Sequence, residues 1–267
     1  PSCVGSSVPT AIKMQEEFGD EIAVLFVEVQ GADRAKMQKF ALEKKWFGGD
    51  SMWTRERPFS TGMNGIPNFA LLDAQGKVAL SGYSNSMHSQ IKDTLSELVK
   101  NSEKAPSHYS SSVTKAWKES SRGNYAKAIT LAKKVMQKAA EKDNADDVES
   151  AKEVLNLALG KADSRISQVR WLLDHGYAEK GKQLLVPLTK ACKGVADLSA
   201  SCSELADWLK SSSGKEELSA SRGLQRLEGK LFEDPKGSHR KGLLAFVEKN
   251  VGTLAASRAS ALAKICQ

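Results

Sequence analysis

Residues 65–78 read GIPNFALLDAQGKV, and the fold of the first hundred residues turns on how that stretch is read. NFALLD (68–73) and KVALSG (77–82) are two strand-like runs joined by the turn-rich AQG, which predicts an antiparallel hairpin. Downstream, SMHSQIKDTLSELVK (86–100) sets Met87, Ile91, Leu95 and Leu98 on one helical face. Upstream, IAVLFVEV (22–29) is a continuous β-branched and aromatic run, the pattern of a parallel strand buried on both faces. PTAIKMQEEFGD (9–20) reads as a helix with Pro9 in its first turn and Gly19 as its stop. DRAKMQKFALEKKW (33–46) restores helical spacing and ends before Gly48 and Gly49. The predicted order is helix, strand, helix, hairpin, helix.

That order, with Pro67 placed immediately before the first hairpin strand, resembles the thioredoxin-like fold over residues 1–101. The nearest likeness is to the extracytoplasmic thiol-disulfide oxidoreductases and their peroxiredoxin relatives. The resemblance implies a cis Ile66–Pro67 bond that brings the backbone of Ile66 against a nucleophile and a bound substrate strand. Family members often carry Thr or Val where this chain has Ile66. The resemblance also implies a Cys-x-x-Cys motif at the start of the first helix, with a proline about five residues beyond the second cysteine. Pro9 lies six beyond Cys3, so Cys3 is read as the resolving thiol of a Cys-Pro-Ser-Cys motif whose first cysteine would stand just before Pro1. A further strand, upstream of that motif, would separate 22–29 from the hairpin, so those two segments are not expected to pair directly.

The chemistry asks for residues of this kind. Thiol–disulfide exchange needs an attacking thiolate favoured by a helix N-terminus and a second thiol near enough to resolve the mixed disulfide. The alternative for Cys3 is a small buried hydrophobe at a helix start, and for Pro67 a turn proline at the head of a strand. Trp53, Arg55 and Arg57 fall in SMWTRERPF (51–59), read either as an ordinary surface loop or as the lining of a groove beside Pro67. His88, His108, His175 and His239 are scattered, with no metal-ligand spacing, and no phosphate-cradling or dinucleotide-binding glycine pattern occurs. No metal and no cofactor is expected.

Charge and texture change at KNSEKAPSHYSSS (100–112), which is read as a linker over 102–112. Residues 1–105 carry a net charge of −1 and residues 106–267 a net of +8. Basic and acidic residues are interleaved in the second part and aromatics are sparse, which argues for solvated helical faces and against a nucleic-acid partner. Residues 113–267 contain no convincing strand and are assigned to an all-helical domain. Within it, GNYAKAITLAKKVM (123–136) resembles the turn and second helix of tetratricopeptide-type hairpins, with DHGYAEKGKQLLVPLTKA (174–191) as a degenerate echo. Tyr125 and Tyr177 are 52 residues apart, against a regular tetratricopeptide period of roughly 34. Cys192 and Cys202 flank a turn at which a disulfide is geometrically allowed if their Cα atoms come within about 7 Å. Two unrelated packed thiols is the other reading.

No run reaches the roughly 18 apolar residues of a membrane span. The sequence therefore predicts an α/β thioredoxin-like domain lacking its first strand, followed by an all-α domain. The function expected is a thiol-disulfide oxidoreductase or redox-linked protein in an extracytoplasmic compartment. Its partners would be a protein substrate and a protein held by the helical domain. The alternative is a noncatalytic scaffold built from the same two modules.

Overall fold

The computed structural model describes residues 3–47, 52–102, 104–235 and 237–266. The chain divides into two units, one of Pro1–Ser102, Arg226–Gly242 and Leu262–Gln267, the other of Glu103–Gln225 and Leu243–Ala261. The first boundary falls inside the expected linker. The sequence had assigned 113–267 to a single domain, whereas 226–242 and 262–267 group with the first unit. An apolar stripe specifies that a helix packs but not what it packs on, so composition could not show this.

In the first unit a π-helical turn, Cys3–Ser7, runs directly into α1 (Val8–Phe18), and Gly19 ends the helix at φ 55°. The buried Gln15 then fixes the chain's exit. Its Nε2 donates to the Ile22 carbonyl at 2.8 Å and its Oε1 accepts from Val24 N–H at 2.8 Å. These bonds satisfy backbone groups that no helix or ladder reaches. β1 (Leu25–Val27) follows, then α2 (Arg34–Glu43), capped by Asp33, which accepts from Lys36 N–H at 2.8 Å.

β1 pairs in parallel with β2 (Met52–Thr54), in the register Phe26 opposite Trp53. Two expectations are corrected here. The strand is three residues long with Leu25 exposed, not buried on both faces; such burial needs layers packed over both sides of a sheet, and the Leu25 side chain is left uncovered. Its partner is a segment that the sequence presented as loop. β3 (Asn68–Leu72) and β4 (Val78–Tyr83) form the expected antiparallel hairpin, with an irregularity between Leu71 and Leu72. Asp73 closes the turn by accepting from Gln75 and Lys77 N–H, both at 2.9 Å. The two ladders are separate, and β1 does not pair with β3 among the described residues. A 3₁₀ turn (Ser84–Ser86) leads into α3 (His88–Ser102).

The other unit is built from helices: α4 (Ser111–Ser121), α5 (Tyr125–Ala140), α6 (Ala145–Asp174), α7 (Ala178–Cys192) and α8 (Ala196–Lys210). α9 (Ser212–Glu233), α10 (His239–Lys249) and α11 (Leu254–Ile265) each contribute residues to both units. The α4–α5 hairpin turns at Gly123 with φ 77°, where the sequence placed the break. Consecutive helices from α4 to α8 pack on one another, and α4–α6, α5–α7 and α6–α8 also touch. Ala128, Ala151, Ala158, Ala162 and Ala178 are fully buried at these contacts, and their small side chains allow close helix approach.

One joint ties α6, α7, α9 and α11 together. Gly176 turns α6 into α7 at φ 74°, and a Cβ there would fall 2.6 Å from the carbonyl carbon of Leu254. The Arg258 guanidinium donates to the Gly176 carbonyl at 2.6 Å and lies 3.4 Å over the Tyr177 ring. The buried Glu217 carboxylate accepts from Leu254 and Ala255 N–H, both at 2.8 Å, and so caps α11 from a different helix.

Two outcomes check this account in urea titrations. Glu217→Ala leaves two helix-start donors unmatched and is expected to cost about 2 kcal/mol. Pro187 interrupts α7 at an exposed position. Pro187→Ala is therefore expected to stabilise by about 2 kcal/mol, the ~3 kcal/mol helix cost of proline less the ~1 kcal/mol it recovers through the unfolded chain.

Candidate functional site

Cys3 stands at the head of the continuous helical run Cys3–Phe18 and is half-buried. Pro9 occupies the first turn of α1, where its missing N–H has no intrahelical partner to lose. The other candidate residues, Ile66 and Pro67, lie in the segment 61–68. Its Ile66–Pro67 peptide bond is cis, as the resemblance implied. Asn68 latches that segment, donating from Nδ2 to the Gly65 carbonyl at 2.5 Å and accepting from Thr61 Oγ1 at 3.2 Å. Gly65 lies under the Tyr83 ring, whose Cε1 would be 3.2 Å from a Cβ at that position. Ile66 is 43% exposed, so its side chain is open to a ligand.

A short hydrogen-bond relay joins the two segments. Ser84 Oγ donates to Ser7 Oγ at 2.8 Å, and Ser84 N–H donates to the Pro67 carbonyl at 3.1 Å. Both serines are buried, so the hydroxyl pair is shielded from competing water. The turn that carries Cys3 is thereby held to the segment that carries Ile66 and Pro67. Neither serine was identified from sequence. A lone Ser in a polar stretch has no periodicity or spacing to mark it.

The remaining cysteines are different in kind. Cys192 and Cys202 are fully buried in the helical unit, Cys266 is buried in the first, and all are free thiols. The structure brings Cys192 and Cys202 together, as free thiols. Burial pushes the Cys192 thiol up to about 12, with Cys202 and then Asp163 adding to the shift. Burial also raises Cys202, while hydrogen bonds from the Cys192 and Thr189 side chains pull the other way. Cys266 is raised by burial against the opposing charge of Arg240. A thiol whose ionised form is penalised in this way is a poor nucleophile.

The other sequence candidates are dispersed. Arg57 is committed to the Val29 carbonyl at 3.2 Å. Trp53 and Arg55 line a cavity with residues of α2, and Pro67 is not among its lining residues. His108 meets Tyr109 edge-on, His175 stacks on Trp171, and His88 Nε2 is buried without a partner among the described residues. Among the described residues no three His, Cys, Asp or Glu side chains converge as a metal site, and no helix is long and apolar enough to cross a membrane. No protein-family model, curated protein or solved structure matches the chain.

Thiol counting tests the contrast between Cys3 and the rest. With iodoacetamide at pH 8 the folded protein is expected to react at Cys3 alone, and all four cysteines are expected to react after unfolding in urea. Labelling of Cys192 or Cys202 at the rate of Cys3 would contradict their burial.

Proposed function

We propose that the first unit is a thioredoxin-like thiol–disulfide exchange module, acting in an extracytoplasmic compartment, and that the helical unit holds a protein partner. The observation that supports this reading best is the Ser7–Ser84–Pro67 relay. Its hydrogen bonds tie the turn that carries Cys3 to the segment that carries the exposed Ile66 and Pro67, which supports reading a thiol and a substrate-aligning backbone as parts of one site.

In the proposed cycle, the first cysteine of the motif that the thioredoxin resemblance implies attacks a substrate disulfide as thiolate. A mixed disulfide forms, and one substrate sulfur leaves and takes up a proton. The Cys3 thiolate then attacks the mixed disulfide, closing an intrachain disulfide and releasing the second substrate thiol. Two electrons pass to the substrate, and an external dithiol donor restores the reduced pair. Cys3 is the resolving thiol, and Ile66 and Pro67 orient the substrate strand.

A noncatalytic scaffold is the second reading, favoured by the large apolar side chains that the helical unit presents to solvent, Trp171 and Val186 among them. The two readings separate on protein from its native source, oxidised with trans-4,5-dihydroxy-1,2-dithiane and mapped by peptide mass with and without reductant. The exchange reading expects Cys3 to enter a disulfide reversibly and Cys3→Ser to accumulate mixed disulfides with substrate protein. A Cys3 that stays a free thiol throughout, with Cys3→Ser indistinguishable from the parent, leaves the scaffold.

A further inference from the structure

A second site in the first unit is independent of Cys3. A cavity of about 580 Å³ lies between α2 and the segment from β2 to Glu56, within the range of small-molecule sites. Met37, Ala41, Phe47 and Trp53 supply its apolar lining. That lining is braced from behind. Trp53 stacks on Trp46 with ring centroids 5.7 Å apart and leans on Phe26 at 4.5 Å, while Phe47 stacks on Phe232 at 5.6 Å. Met37 and Ala41 are themselves buried in α2. Walls held by other packing need little ordering when a ligand enters, which lowers the cost of binding.

The polar groups at the cavity favour an anion. Arg34 and Arg55 line it, and neither has a carboxylate or hydrogen-bond partner among the described residues. Glu56 also lines it, which leaves an excess of one positive charge. That balance suits a single negative charge better than a doubly charged phosphate. Guanidinium groups bind a planar carboxylate through paired, charge-assisted hydrogen bonds. The aromatic walls match a flat apolar body, by offset or edge-on contact with Trp53 and Phe47.

We propose that this cavity binds a small aromatic carboxylate, with the carboxylate held by Arg34 and Arg55 and the ring system lodged among Met37, Phe47 and Trp53. The site is separate from the Cys3–Pro67 region and does not depend on thiol exchange.

Calorimetric titration of the full chain with 2-naphthoate tests it, alongside the neutral isostere 2-naphthalenemethanol and inorganic phosphate. Saturable binding of 2-naphthoate at one site is expected, with the alcohol and phosphate each at least about tenfold weaker. The double variant Arg34→Gln/Arg55→Gln, whose side chains are exposed and whose fold is checked by circular dichroism, is expected to lose at least about tenfold in affinity for 2-naphthoate. Absence of saturable binding overturns the proposal. So does equal affinity for acid and alcohol, which would make the cavity an apolar pocket for uncharged groups or a partner's side chain. Tighter binding of phosphate, or an affinity indifferent to the two arginines, overturns it as well.

Discussion

The helical unit depends on one stripe of α6. Ala151, Val154, Ala158, Ala162, Ile166, Val169 and Leu173 recur at intervals of three or four and are all buried. At 30 residues α6 is about 45 Å long, enough to serve several neighbours along its length. α4, α5, α7 and α8 all pack against it. Three of the seven stripe residues are alanines, where neighbouring backbones can approach closely, and dispersion contacts accumulate over a long interface. A bulky substitution at Ala158 or Ala162 has no room to relax, because helices press on the stripe from more than one side.

The first unit is held in another way. Its described elements include two separate ladders of two strands, and few of its side chains are fully buried. Specific polar contacts therefore carry much of the local order: Gln15 on the exit of α1, Asp73 in the hairpin turn, Asn68 on the segment before β3, and the Ser7–Ser84 pair. The aromatic group of Phe26, Phe40, Trp46 and Trp53 supplies the main apolar adhesion around β1 and β2. Polar latches of this kind fix position more sharply than apolar contacts do.

The four cysteines sit in different environments. Cys192 and Cys202 sit where ionisation is penalised by burial and by each other, and they behave as packing groups. Cys3 sits at a helix start, half-open to solvent and tied through serines to the Pro67 segment. The partly exposed thiol at the first helix and the buried thiols of the helical core are thereby set apart by their surroundings.

What the sequence determined by itself was whatever is local. The hairpin of 68–83, the helices around 9–18, 34–43 and 88–102, the break at Gly123 and the division near residue 102 follow from periodicity, turn residues and charge, which act over a few neighbours. The tertiary structure alone decided that Met52–Thr54 pairs with β1, because three residues are too short for a pattern and their pairing is set by a distant strand. It also decided that Ser7 meets Ser84, that Glu217 caps a helix 37 residues further on, and that α2 and β2 flank a cavity lined by two arginines. Each of these joins groups far apart in the chain. Their energies depend on distance in space, which no local pattern encodes.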